Sequence, residues 1–201
     1  MTSSPTSSAN AGRDASGVRR VRPSLSRAAA VLVAVVIALV IAVLDQWSKH
    51  WAETTLELHE PREAIGELLR FHLLYNSGAA WGMGASITPV VTIVQMLICL
   101  GALVAVVRTV RSAAWAAALG LVIGGALGNI HDRLLRPPGP FRGEVVDFLR
   151  LPNWPVFNVA DMAVVAGAIL IVLLTLLGIA MNPGADASAG ASADEPAEQR
   201  A

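Results

Sequence analysis

Four apolar stretches decide what this chain can fold into: Ala28 to Leu44, Pro89 to Val107, Ala113 to Ile130 and Val156 to Ala180. Each is long enough, or nearly so, to cross the ~30 Å hydrocarbon layer as a helix rising ~1.5 Å per residue. Hydrocarbon offers no partners to the backbone, so a spanning segment has to satisfy its own N–H and C=O groups, and a helix does so locally. A hydrophobic share of 54% over 201 residues is likewise too high for an ordinary soluble domain. The first stretch could be a secretory leader, but it runs into Asp45-Gln46-Trp47-Ser48-Lys49 instead of a small-residue cleavage site. It reads as a retained first helix. The expected fold is therefore an all-α polytopic membrane protein with four transmembrane helices. In the third, Gly120, Gly124, Gly125 and Gly128 supply the small residues that let membrane helices approach closely.

Residues 1–27 carry Arg13, Arg19, Arg20, Arg22 and Arg27 among Ser, Ala and Thr, and residues 181–201 are rich in Ala, Asp and Glu. Neither segment can bury a core, so both are expected to be disordered tails around a membrane domain of residues 28–180. Basic residues gather on the cytoplasmic side of membranes. That rule places the N-terminus inside, the link holding Arg108 and Arg111 inside, and, after four crossings, the C-terminus inside. The long loops, about 45–88 and 131–155, then lie outside. Arg133, Arg136, Arg142 and Arg150 in the second loop run against the rule, which implies a local task such as holding carboxylates or lipid phosphates. In the first loop, Arg70 to Tyr75 alternates like a strand before the turn-forming Asn76-Ser77-Gly78, so a small sheet on the membrane is expected there. The Glu-rich residues 50–69 read as a solvated surface segment.

Several function classes drop out. Fifteen basic and fifteen acidic residues give no net charge with which to bind nucleic acid. The lone Cys99 excludes an internal disulfide or a thiolate metal cluster, and His50, His59, His72 and His131 form no pair at helical spacing, as a zinc peptidase requires.

Ionisable groups at a membrane helix are costly, roughly 2.5–3.5 kcal/mol each on insertion scales, and so each one asks for a function. Here Asp45 and Lys49 end the first helix, Asn129, Asp132 and Arg133 end the third, Asp147 lies in the loop between, and Asn158 and Asp161 open the fourth. All fall at one membrane boundary, which implies one site. Asn129 and Arg133, four apart, share a helical face. Asp132 reads as a structural acid, and Asp161 alone could be a helix cap. Asp147, by contrast, sits in Glu144-Val145-Val146-Asp147-Phe148-Leu149 with no adjacent cation. Burial raises such a carboxyl's pKa and a second carboxylate raises it further, so two acids can share a proton and divide the work of hydrolysis. An ion-coupled transporter would spread its acids through the membrane, often with an internal repeat, and a scaffold would give no reason for them.

With these residues in view, the chain resembles the bacterial lipoprotein signal peptidases, also called type II signal peptidases. The likeness extends over residues 28–180 through five ordered motifs: Asp45-Gln46-Trp47-Ser48-Lys49; Asn76-Ser77-Gly78-Ala79-Ala80-Trp81-Gly82; Gly128-Asn129 with Asp132-Arg133; Val145-Val146-Asp147-Phe148; and Phe157-Asn158-Val159-Ala160-Asp161. Ser48 stands where the family often has Thr and Trp81 where it often has Phe, and the segment from Asp147 to Asp161 is shorter than in enterobacterial members. The resemblance implies a small extracytoplasmic β-cradle from the first outer loop and an aspartic endopeptidase with catalytic Asp147 and Asp161. Asp45, Lys49, Asn76, Gly78, Asn129, Arg133 and Asn158 would then shape or line the substrate site. It implies substrates that are diacylglyceryl-modified prolipoproteins, cut just before the lipidated cysteine in a plasma membrane, with no metal or organic cofactor; apart from the resemblance, the expected state is a monomer.

Overall fold

The computed structural model describes residues 24–78 and 87–184. Most of both expected tails, and the Ala79-Ala80-Trp81-Gly82 half of the second motif, lie outside the described residues. Four helices, each long and apolar enough to cross a membrane, run over α1 (Arg27–Thr55), α2 (Thr88–Arg108), α3 (Ala113–Leu135) and α4 (Val159–Leu176). Between them lie β1 (Arg62–Ile65), β2 (Leu69–Asn76) and β3 (Val145–Arg150), paired antiparallel in that order.

Two helices outrun their apolar stretches. α1 continues to Thr55, about eleven residues past Leu44, and α3 continues to Leu135. The reason is that hydropathy marks where a helix meets hydrocarbon, whereas the helix ends where its backbone bonding ends. Asp45 and Lys49 need not leave the helix because they turn inward against α3, where both are fully buried. The expected outer loop therefore begins at Leu56, and the solvated segment is shorter than expected: Ala52 and Leu56 pack under the sheet against Leu73, Val146 and Phe148. α4 starts at Val159, later than the apolar run, because Phe157 is bridged to Leu149 and Asn158 forms the cap.

α3 is the central helix, with most of its length buried, while α1, α2 and α4 present Leu, Val and Ile outward. Its composition explains the position. Ala30, Ala34 and Ala38 lie four apart on one face of α1 and meet the glycine face of α3. A Cβ placed on Gly124 would lie 2.7 Å from the Ala38 carbonyl oxygen, so only glycine permits this approach. At the opposite end of the bundle from the sheet, Leu25 N–H donates to Arg111 O (2.7 Å), Arg111 N–H to Met181 O (2.7 Å) and Trp115 Nε1–H to Ile179 O (2.7 Å). These bonds tie the start of α1, the α2–α3 link and the end of α4 to one level.

The sheet draws on both long connections, not on the first alone. β3 pairs with β2 in a register that sets Leu74 opposite Asp147 and Asn76 opposite Val145. After β3 the chain turns through Asn153, whose left-handed φ of 56° suits asparagine better than most residues, and Phe157 pairs back on Leu149 (N–H to O 2.9 Å). This return delivers Asn158 and α4 to the foot of β3.

Candidate active site

Asp147 and Asp161 face one cavity of about 320 Å³ between the sheet and the ends of α2, α3 and α4. Asp147 is 2% exposed, and both its oxygens accept from carboxamides: Oδ1 from Asn158 Nδ2 (2.6 Å) and Oδ2 from Asn76 Nδ2 (2.9 Å). Asp161 is third in α4 and completes a capping box. Its Oδ2 accepts the Asn158 N–H (3.1 Å) while Asn158 Oδ1 accepts the Asp161 N–H (3.0 Å). Its other oxygen turns to the cavity and accepts from Asn129 Nδ2 (2.8 Å). Capping and site membership are thus one arrangement, with one carboxylate oxygen for each. Asn158 Nδ2 also reaches Asn129 Oδ1 (3.2 Å), so three asparagines hold both acids in place.

Burial, and then the nearby Asp161 carboxylate, push the Asp147 carboxyl from the ordinary 3.8 up to about 7, against the opposing pull of its two asparagine donors. Among the described residues, neither Asp147 nor Asp161 takes part in a salt bridge.

The other acids are differently employed. Lys49 Nζ, fully buried, donates to Asp45 Oδ2 (2.8 Å), Asp132 Oδ2 (2.7 Å) and Asn129 Oδ1 (2.9 Å), which uses all three of its protons. Asp45 Oδ1 accepts the Ala160 N–H (2.9 Å) and so joins α1 to the first turn of α4. Asp132 accepts from Lys49 Nζ, from Arg136 Nε (2.9 Å) and from the Val146 N–H (3.4 Å). Arg136 then grips Glu53 with both terminal nitrogens (2.6 and 3.1 Å). Arg133 holds backbone, not carboxylate. Its guanidinium donates to Asn76 O (2.8 Å), Gly143 O (2.9 Å) and Gly78 O, and so clamps the end of β2 beside the cavity.

Of the residues singled out from sequence, Asn76, Gly78, Asn129, Arg133, Asp147 and Asp161 line the cavity. Asp45, Lys49 and Asn158 stand behind its wall, and Lys49 reaches Asp161 only through the Asn129 carboxamide. Sequence reasoning missed Gln46, whose Nε2 lies 3.1 Å from Asp45 Oδ2 and 3.2 Å from Asp132 Oδ1, and Gln95 of α2, on the cavity wall. The available signal was a carboxamide at membrane depth, which a search for ionisable groups passes over. The Arg150 guanidinium lies 3.0 Å from His72 Nδ1, away from both acids.

Residues 37–177 match the family described as signal peptidase (SPase) II. A lipoprotein signal peptidase of Streptomyces coelicolor is 46% identical over 137 residues, covering 68% of this chain and 67% of the relative. One of Mycolicibacterium smegmatis is 43% identical over 186 residues, covering 89% and 74%. Among solved structures, a bacterial membrane enzyme determined by the in meso method at 1.9 Å resolution is similar with a TM-score of 0.64 at 28% identity, covering 76% of this chain and 96% of that one.

Proposed function

The chain belongs to the signal peptidase II family, a multi-pass membrane protease that removes signal peptides from prolipoproteins, and from that premise we propose that Asp147 and Asp161 are its catalytic dyad. The observation that carries this reading is a contrast among buried acids. Asp45 and Asp132 are neutralised by Lys49, whereas Asp147 and Asp161 meet carboxamides and backbone and look into an open cavity. An acid matched by a cation is committed to that ion pair, whereas a pair held only by neutral donors is free to take and return a proton.

In the reaction, the ionised member of the pair takes a proton from a water that attacks the scissile carbonyl carbon. The protonated member hydrogen-bonds the carbonyl oxygen as it gains charge. The proton taken from water then passes to the leaving nitrogen as the C–N bond breaks, giving a free carboxyl end on the signal peptide and a free amine on the cysteine. With Asp147 raised to about 7, the pair keeps its shared proton up to neutral pH, and cleavage declines above that value as the proton is lost. Asn76, Asn129 and Asn158 hold the carboxyls toward the cavity, Arg133 fixes the loop that carries Asn76, and Lys49 with Asp45 and Asp132 locks the helices behind them. Both termini lie in the cytoplasm and the dyad at the external boundary. There acyl chains on the substrate cysteine anchor it, each buried CH₂ contributing about 0.8 kcal/mol.

The test uses the purified full chain in lipid and a peptide bearing diacylglyceryl-cysteine. Asp147→Asn and Asp161→Asn each abolish cleavage, and the double variant is no worse, because the two act as a unit. The unlipidated peptide is cut far less efficiently. Normal cleavage by a folded Asp147→Asn protein refutes the dyad; equal kcat/KM for the two peptides refutes the role of the lipid.

A further inference from the structure

Gln95 is the only carboxamide in α2, about 10 Å along the helix from Thr88. The nearby Thr92 hydroxyl shares its proton between Thr88 O and Phe141 O, but the buried Gln95 Oε1 atom has no hydrogen-bond partner among the described residues. It stands where two cavities join. One is the site cavity. The other, of about 180 Å³, runs from Asn129 and Asp161 along the apolar side chains of Ile98, Val122 and Val164. This second cavity lies over α3 between α2 and α4, which both pack on α3 and scarcely touch each other.

A signal segment in hydrocarbon is helical, because only a helix satisfies its backbone there. To cross the dyad it has to unwind, which releases N–H and C=O groups into a slot with few polar groups. The slot leads away from the dyad into the bundle, the direction taken by the signal-peptide side of a membrane-held substrate. A diacylglyceryl group offers only ester acceptors and cannot satisfy a carboxamide oxygen. A main-chain N–H can, and the carboxamide NH₂ can donate to the carbonyl of the same extended residue.

Resting on the dyad reading above, we propose that Gln95 is a specificity-determining residue whose carboxamide pairs with the main chain of one unwound signal-peptide residue just ahead of the scissile bond. It selects an extended backbone, whatever side chain that residue bears.

The test is a cycle between Gln95→Met, close in shape but without the amide, and lipidated peptides in which the N–H of each residue ahead of the bond is replaced in turn by an ester oxygen. The full chain cleaves one ester peptide about tenfold more slowly than its parent. Gln95→Met cleaves the parent about tenfold more slowly and does not distinguish that ester from it. Ester effects of equal size in both proteins overturn the proposal, as does wild-type kcat/KM in Gln95→Met. If Gln95→Met does not insert, Gln95→Asn, one methylene short, replaces it and is judged by the same coupling. A wild-type chain that leaves the lipidated peptide intact refutes the reading of the reaction itself, and the proposal with it; cleavage without coupling refutes the proposal alone.

Discussion

Asp147→Asn should kill the enzyme and stabilise it at alkaline pH. In the fold the Asp147 carboxyl keeps its proton up to about pH 7, whereas in the unfolded chain it loses it near 3.8. Between those values the folded state holds more protons than the unfolded state, so stability falls as pH rises, and above about 7 the loss is complete. The shift corresponds to about 4 kcal/mol set against the ionised side chain, undiminished by solvent because the group is 2% exposed. The amide introduced by Asp147→Asn carries no charge and escapes that cost. It cannot accept from both Asn76 and Asn158, but the protonated acid cannot either, so at pH 5 the two proteins are close in stability. At pH 8.5 the variant gains on the order of 10 °C in unfolding temperature over the wild type, taking ~2–4 °C per kcal/mol for a chain of this size. Cys99, the sole cysteine and half-buried in α2, supplies the assay, since a thiol-reactive dye reports its exposure as the bundle opens. Comparing the two proteins at each pH cancels the titration of the groups that do not interact with Asp147, which leaves its coupled partner Asp161 as part of the difference. An unfolding-temperature difference that stays constant from pH 5 to 8.5 refutes the raised carboxyl, and one that grows in favour of the wild type reverses the sign of the reasoning.

Asp132→Asn leaves the buried Lys49 one anionic partner short and costs about 3–5 kcal/mol of stability, yet the folded fraction still cleaves; a stable but inactive protein would move the dyad to Asp132 and Asp161. Gly128→Ala puts a Cβ 2.4 Å from Asp45 Oδ2 and lowers the unfolding temperature sharply, while Gly101→Ala, with open space around it, changes it little; equal effects would contradict the close packing of α3 on α1. A reporter fused after Ala180 reads cytoplasmic and one inserted near Arg62 reads external, and the reverse result inverts the orientation proposed for the site.

By itself, the sequence determined the medium and the parts. Four apolar runs required four helices, because hydrocarbon leaves the backbone no other economical partner, and the order of the five motifs pointed to the family. The acids could be found from sequence because charge at membrane depth is rare. Which groups those acids meet was decided only by the tertiary structure. Asp45 and Lys49 stand four apart on α1 and can pair locally, but nothing local says that Lys49 also reaches Asp132 on α3 while Asp147 and Asp161 meet asparagines. Asp147 reaches its place through the β2–β3 register, a contact between segments far apart in sequence, and the turn at Asn153 then brings α4 with Asp161 back to it. The helix ends at Thr55 and Leu135 were hidden for the same reason: a buried charge paired across helices looks, in a hydropathy profile, like a charge in water.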